Sequence, residues 1–159
     1  MQTDQTQIVF SDGGRRQSGF KGDAGDCVCR AVAIASGIPY SEVYAVLAKG
    51  NANQRTTKCT RKRAKGFKKE TADHGISVKR KWFQDYMKSI GFSWIPTMKI
   101  GQGCKVHLRA DELPAGRLVV SLSKHYCAVI DGVIHDTHDP TRDGTRCVYG
   151  YFILNAQNK

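Results

Sequence analysis

Activating a sulfur nucleophile takes a thiol with a lowered pKa, a base within hydrogen-bond reach and a group that orients the base. The sequence supplies one such set in the order Cys27, His125, Asp136. The last two lie in KHYCAVIDGVIHDTHDP (124–140), where Asp131-Gly132 signals a two-residue hairpin loop. A type I′ turn needs positive φ at both central positions, which Asp-Gly tolerates. This loop pairs Ile130 with Val133, Cys127 with Asp136 and His125 with His138. Opposed residues share a face and successive ones alternate, so His125, Cys127, Val129, Ile134, Asp136 and His138 fall on one side. His125 and Asp136 become diagonal neighbours, close enough for an imidazole–carboxylate hydrogen bond that would fix the ring's tautomer. Asp139 falls on the other face unless a bulge exchanges the two acids. His135 also points away, and His138 is a polar neighbour held in reserve.

The thiol must be brought to this hairpin from almost a hundred residues upstream. Gly25 to Ala31 reads as the start of a helix that runs to about Ser36, with Asp26 as N-cap and Gly37 as the C′ stop. Val28, Ala31, Val32 and Ala35 form its apolar stripe. Cys27 then sits in the first turn, where unpaired N–H groups and the helix dipole favour a thiolate. Cys29 is about 200° further round at 3.6 residues per turn, so the two thiols cannot face one partner, and Cys29 reads as structural.

Further elements complete the frame. Ile8-Val9-Phe10 is a short strand. A second helix begins near Pro39 with Ser41 as cap and stops at Gly50. A third, capped by Ser77, covers Val78 to Ile90. Extended segments follow at Trp94 to Ile100, Val106 to Leu108, Arg117 to Ser123, through the hairpin, and at Cys147 to Leu154. Helices first and strands afterwards give an α+β fold with an antiparallel sheet. At 159 residues and 40% hydrophobic content the chain is read as a single domain, 1–159, with a core of its own. No apolar run of 18 residues and no basic-then-apolar leader is present, so neither a membrane span nor a signal peptide is expected. On that footing the six cysteines are expected to be free, catalytic or metal-bound, not disulfide-linked.

Two stretches carry a resemblance. GDCVCRAVAIASGIPYSEVYAVL (25–47) resembles the "(N/G)DCVxRAxAIATGxxYxEVY" opening of small phage and bacterial proteins related to papain-fold cysteine peptidases. HYCAVIDGVIHDT (125–137) resembles their "HxxAVIDGxxxDT" ending. The resemblance implies a papain-like fold, with N-terminal helices packed on a C-terminal antiparallel β-sheet. It also implies a cysteine peptidase or isopeptidase working in a bacterial cytoplasm on a protein or peptide substrate, without a cofactor. By the motif, Cys27 maps to the nucleophile, His125 to the base and Asp136 to the orienting acid. Papain-type enzymes usually carry a Gln a few residues before the nucleophile to bind the oxyanion. Here position 21 is Lys and the nearest upstream Gln is Gln17, which leaves the Cys27 backbone N–H plus Gln17, or another donor, for that role.

Two other chemistries are weighed against this one. Zinc is not expected, because Cys27-x-Cys29 lacks the C-x₂₋₄-C spacing and no second pair exists; a mixed site of Cys127, Asp136 and His125 is the one metal alternative. Nucleic-acid or other polyanion binding is suggested by the charge. The net charge is +11, and Arg55 to Lys81 carries eleven Lys/Arg against Glu70 and Asp73. Arg61, Lys62, Arg63, Lys65, Lys68 and Lys69 would neutralise phosphates, with Phe67 and Trp82 as stacking partners. This segment, about 51–76, reads as an exposed basic insertion. The alternative function is therefore a non-catalytic protein that binds nucleic acid or a host factor on the same scaffold.

Overall fold

A computed structural model describes residues 6–20, 25–53, 71–73 and 76–156. The architecture is α+β; the described residues form three helices and one six-stranded mixed sheet. In chain order the elements are β1 (Ile8–Phe10), α1 (Cys27–Ser36), α2 (Tyr40–Asn53), α3 (Lys81–Ser89), β2 (Phe92–Pro96), β3 (Arg117–Leu122), β4 (His125–Ile130), β5 (Val133–Asp136) and β6 (Val148–Leu154). The strand order is β1-β5-β4-β3-β6-β2.

The hairpin register follows the turn chemistry. Asp131 and Gly132 have φ of 48° and 80°, and Ile130 opposes Val133, Val129 opposes Ile134 and Ala128 opposes His135. The sheet is not purely antiparallel, nor wholly C-terminal. β1 joins its edge parallel to β5, pairing Ile8 with Ile134 and Phe10 with Asp136. Tripeptide composition sets no strand direction, and the long connection between β1 and β5 is what a parallel pairing requires.

Alternation along β3 and β4 divides the interior in two. Val119, Ala128 and Phe152 face the helices and pack with Val32, Val43, Leu47, Phe83 and Met87. Leu118, Val120, Cys127, Val129, Ile134 and Val148 face the other way and are closed by Leu108 and Leu113 from the loop between β2 and β3. α1 lies across β4, β3 and β5, which brings its N-terminus to the end of the sheet where β4 begins.

Several expected boundaries shift for identifiable reasons. α2 begins at Tyr40, so Ser41 lies inside its first turn, and the carbonyl of Pro39 accepts from Glu42 and Val43 N–H. Gly50 does not end α2. It is interior, and a Cβ there would lie 2.4 Å from the Trp82 ring. Close approach of the indole, not a left-handed stop, explains this glycine. α3 starts at Lys81, four residues past Ser77, whose carbonyl instead accepts from Arg80 N–H in a preceding turn. The stretch from Val106 to Leu108 contributes only an isolated bridge between His107 and Cys147.

The cysteines also depart from expectation. Cys104 and Cys147 form a disulfide, tying the glycine-rich loop after β2 to the start of β6, while Cys27, Cys29 and Cys127 are free. The ends of the basic insertion are built in. Asn51–Asn53 continue α2, and Thr71 and Ala72 are buried, held by Asn51 Nδ2 donating to the Thr71 carbonyl at 3.0 Å. Its proposed phosphate-binding residues, Arg61, Lys62, Arg63, Lys65, Lys68 and Lys69, lie outside the described residues, as does Phe67. Among the described residues no helix is long and apolar enough to cross a membrane.

Candidate active site

The site is assembled where the N-terminus of α1 meets the start of β4 and the end of β5. α1 forms because Val28, Ala31, Val32 and Ala35 bury one face against the sheet, and it ends at Gly37 in the left-handed region, with Gly37 N–H donating to the Ala33 carbonyl. Its first residue is Cys27, partly buried and free.

His125 is the first residue of β4 and Asp136 the last of β5. Both are buried, at 8% and 3% exposure. His125 Nε2 lies 2.5 Å from Asp136 Oδ2. Engaging Nε2 leaves Nδ1 as the ring nitrogen available to Cys27. The structure thus puts Asp136, not Asp139, on the imidazole. Asp139 instead turns onto Thr141, accepting from its N–H at 2.8 Å and its hydroxyl at 2.6 Å. His135 pairs with Ala128 on the helix-facing side. The second oxygen of Asp136 accepts from Thr137 N–H at 2.7 Å, lies 3.9 Å from Arg30 Nη2 and 3.8 Å from His138 Nδ1. The carboxylate is therefore satisfied on both sides while buried, as a buried charge must be.

The electrostatics shift Cys27, His125 and Asp136 each toward its ionised form. Burial pushes the Cys27 thiol up, but hydrogen bonding and charge from His125, the Tyr126 backbone N–H and the Arg30 charge outweigh it, so its pKa lies below the ordinary cysteine value. Burial likewise works against the charged His125, yet the hydrogen bond to Asp136 and the interaction with Cys27 raise its pKa to about 9. Asp136 is held below the usual carboxylate range: burial raises it, and the hydrogen bond and charge of His125 more than compensate. Each shift favours the ionised form of a buried group because its partner is ionised.

The other thiols behave in the opposite way. Cys29 is fully buried and burial pushes its pKa up to about 12, as its position across the helix from Cys27 anticipates. Cys127 faces the far core, where burial pushes it up as well, so the mixed Cys127–Asp136–His125 metal site is not assembled. The donors of His125, Asp136 and His138 do lie within 4.8 Å of one another, and among the described residues they are the set that could hold a cation. The short His125–Asp136 bond and the Arg30 charge on the same carboxylate both oppose a metal there.

Asp26 stands at the N-cap position of α1, as the sequence predicts, but its side chain does not cap the helix. It turns inward, accepting from Tyr40 Oη at 2.5 Å and pairing with Arg15 Nη1 at 3.2 Å and with Arg30. Arg15 also donates to Tyr40 Oη at 2.8 Å and Asp73 Oδ1 at 2.7 Å. A charge pair with two arginines outcompetes a cap worth about 1 kcal/mol. Two consequences bear on the site. Among the described residues no side chain caps the first-turn amides of α1, Cys27 N–H included. Arg30 also spans Asp26 and Asp136, linking the base of α1 to the acid behind His125. The spacing Asp26–Arg30, four residues apart at a helix start, was a readable signal for this pair; Arg15 in its glycine-rich loop carried none. Gln17, the oxyanion candidate, is exposed on the neighbouring turn, and among the described residues no hydrogen bond ties it to Cys27 or His125. The uncapped amides of α1 offer a donor that Gln17 does not.

No family model, no curated protein and no solved structure matches the chain.

Proposed function

We propose that this chain is a thiol hydrolase on a papain-like domain, cleaving peptide or isopeptide bonds with Cys27 as nucleophile, His125 as general base and acid, and Asp136 orienting the imidazole. The observation that carries the reading is the placement of one free, acidified thiol at the mouth of α1 beside a histidine whose far nitrogen is 2.5 Å from a buried carboxylate. The Cys27 thiolate attacks the scissile carbonyl carbon. Negative charge moves to the carbonyl oxygen, where the Cys27 backbone N–H and the positive end of α1 stabilise it. As the C–N bond breaks, His125 gives its Nδ1 proton to the leaving amine and a thioester remains. Water, deprotonated by the now neutral His125, hydrolyses that thioester and regenerates the pair. An amine in place of water would make the same parts an acyl transferase.

The resemblance of the 25–47 and 125–137 motifs to phage and bacterial proteins fits work in a bacterial cytoplasm. The Cys104–Cys147 bond pulls against a reducing compartment. The test is labelling with iodoacetamide at pH 7 and mapping by mass spectrometry. Cys27 should react at pH 7 well above the rate of an ordinary exposed thiol, and His125→Ala should slow it toward that rate, whereas Cys29 and Cys127 stay slow in both because they are buried. A Cys27 rate that His125→Ala leaves unchanged would overturn the assignment.

A further inference from the structure

A cavity of about 530 Å³ opens on the helix-facing side of the sheet, beside the start of β4. That volume is within the range of ligand pockets, about 300–1,000 Å³, and exceeds what one side chain needs. Tyr126 lines the cavity, and the backbone N–H of Tyr126 is among the groups that lower the Cys27 pKa. The cavity therefore touches the residue that touches the nucleophile. Its walls are rich in aromatic and apolar groups, among them Trp94, Tyr149 and Ile100, all left exposed. Exposed apolar surface gathered around a concavity beside reactive groups marks a binding site more often than chance exposure does.

The charge around this cavity is one-sided. Lys79, from the turn before α3, and Lys124, from the tight turn between β3 and β4, both line it, and among the described residues no Asp or Glu does. Lys124 is held there by a left-handed backbone, φ 56°, directly before His125 in the chain. Two ammonium groups at the rim of a low-dielectric wall attract a carboxylate and repel a cation.

Resting on the hydrolase reading, we propose that this cavity is the specificity site and that it selects an acidic peptide segment. The selected substrate carries a bulky apolar or aromatic side chain against Trp94 and Tyr126 and a neighbouring carboxylate between Lys79 and Lys124. The cavity commits the enzyme to acidic protein segments and against basic ones.

The experiment uses the full chain and a set of tripeptidyl fluoromethyl ketones that carry Phe and one of Asp, Asn or Lys in permuted positions. The readout is the second-order rate of Cys27 alkylation by mass spectrometry. In at least one permutation the Asp probe should react about tenfold or more faster than the Lys probe at low salt. The ratio should shrink as salt screens the rim and should invert in Lys79→Glu/Lys124→Glu. Using the ratio within each protein cancels any change in the reactivity of Cys27 itself. Replacing Phe by Gly should slow the best probe about tenfold. If the variant does not fold, the salt dependence of the unaltered protein decides. A ratio near one in every permutation at low salt overturns the acidic specificity. Iodoacetamide separates the two claims: Cys27 alkylation that His125→Ala slows, with no probe preference, sinks only the specificity site, whereas Cys27 alkylation that His125→Ala leaves unchanged sinks the hydrolase reading beneath it.

Discussion

Asp136→Asn probes the link on which the electrostatics of the site depend. In the native protein the pKa of His125 is raised from 6.5 to about 9. At about 1.4 kcal/mol per unit this is on the order of 3 kcal/mol favouring the charged ring. Burial works against that charge, so the favourable part comes from Asp136 and Cys27. An asparagine is isosteric and still hydrogen-bonds, but it carries no charge and can donate to the ring, which stabilises the wrong tautomer. His125 should then titrate near or below 6.5 and be mostly neutral at pH 7. Cys27 loses the cation that held its pKa down while its burial remains, and its pKa rises toward the ordinary value. A thiol at about 8.5 is only about 3% thiolate at pH 7, so iodoacetamide alkylation at pH 7 should fall by up to roughly thirtyfold. The fall should shrink steadily above pH 8 and nearly vanish by pH 10, where both proteins are mostly thiolate. The assay is the alkylation rate between pH 5 and pH 10, with the His125 ring followed by NMR in parallel. A variant whose rate profile and ring titration overlay those of the native protein would refute the reasoning, because the carboxylate would then have no electrostatic hold on the pair.

Three further outcomes follow from the same structure. Hydrolysis needs thiolate and imidazolium together, so kcat/KM should rise with pH through the lowered Cys27 pKa and fall as His125 deprotonates near 9; alkylation should rise but not fall, and a hydrolysis profile without the alkaline limb would contradict the role of His125 as proton donor. Arg30→Met leaves Asp26 with one arginine fewer and removes a cation from beside Asp136, which should cost about 3 kcal/mol in urea unfolding and slow Cys27 alkylation at pH 7; unchanged stability would show that Arg15 and Tyr40 alone satisfy Asp26. Gly50→Ala drives a Cβ into the Trp82 ring at 2.4 Å and should lower stability by about 1–3 kcal/mol, despite alanine's better helix propensity; a raised Tm would mean that the indole moves freely.

Much of the site was legible because its parts are local. Asp131-Gly132 dictates a two-residue turn, and a side-chain period of two then fixes which hairpin residues share a face, so the 2.5 Å approach of His125 to Asp136 follows from counting. Asp26 at the N-cap position and Gly37 past the last turn fix the ends of α1, and with them Cys27 in the first turn. The same local rules misjudge Asp26, Gly50 and Ser77, where a more distant partner or a neighbouring turn wins. Asp26 meets Arg15 and Tyr40, 11 and 14 residues away, and a buried ion pair outbids a cap. Gly50 meets Trp82, and packing outbids the helix stop.

The sequence by itself determined the hairpin register, the opposed orientations of Cys27 and Cys29, the α+β class and the surplus of basic charge, since each depends on spacing along a few residues. Only the tertiary structure decided that α1 crosses the sheet with its N-terminus at the start of β4, that β1 runs parallel to β5, that Cys104 pairs with Cys147 and that Arg30 joins two buried acids. It also decided that a cavity rimmed by two lysines lies beside Tyr126. Those features join residues from 4 to more than 100 positions apart in the chain, and the packing of two apolar faces onto one sheet, not any local propensity, brings them together.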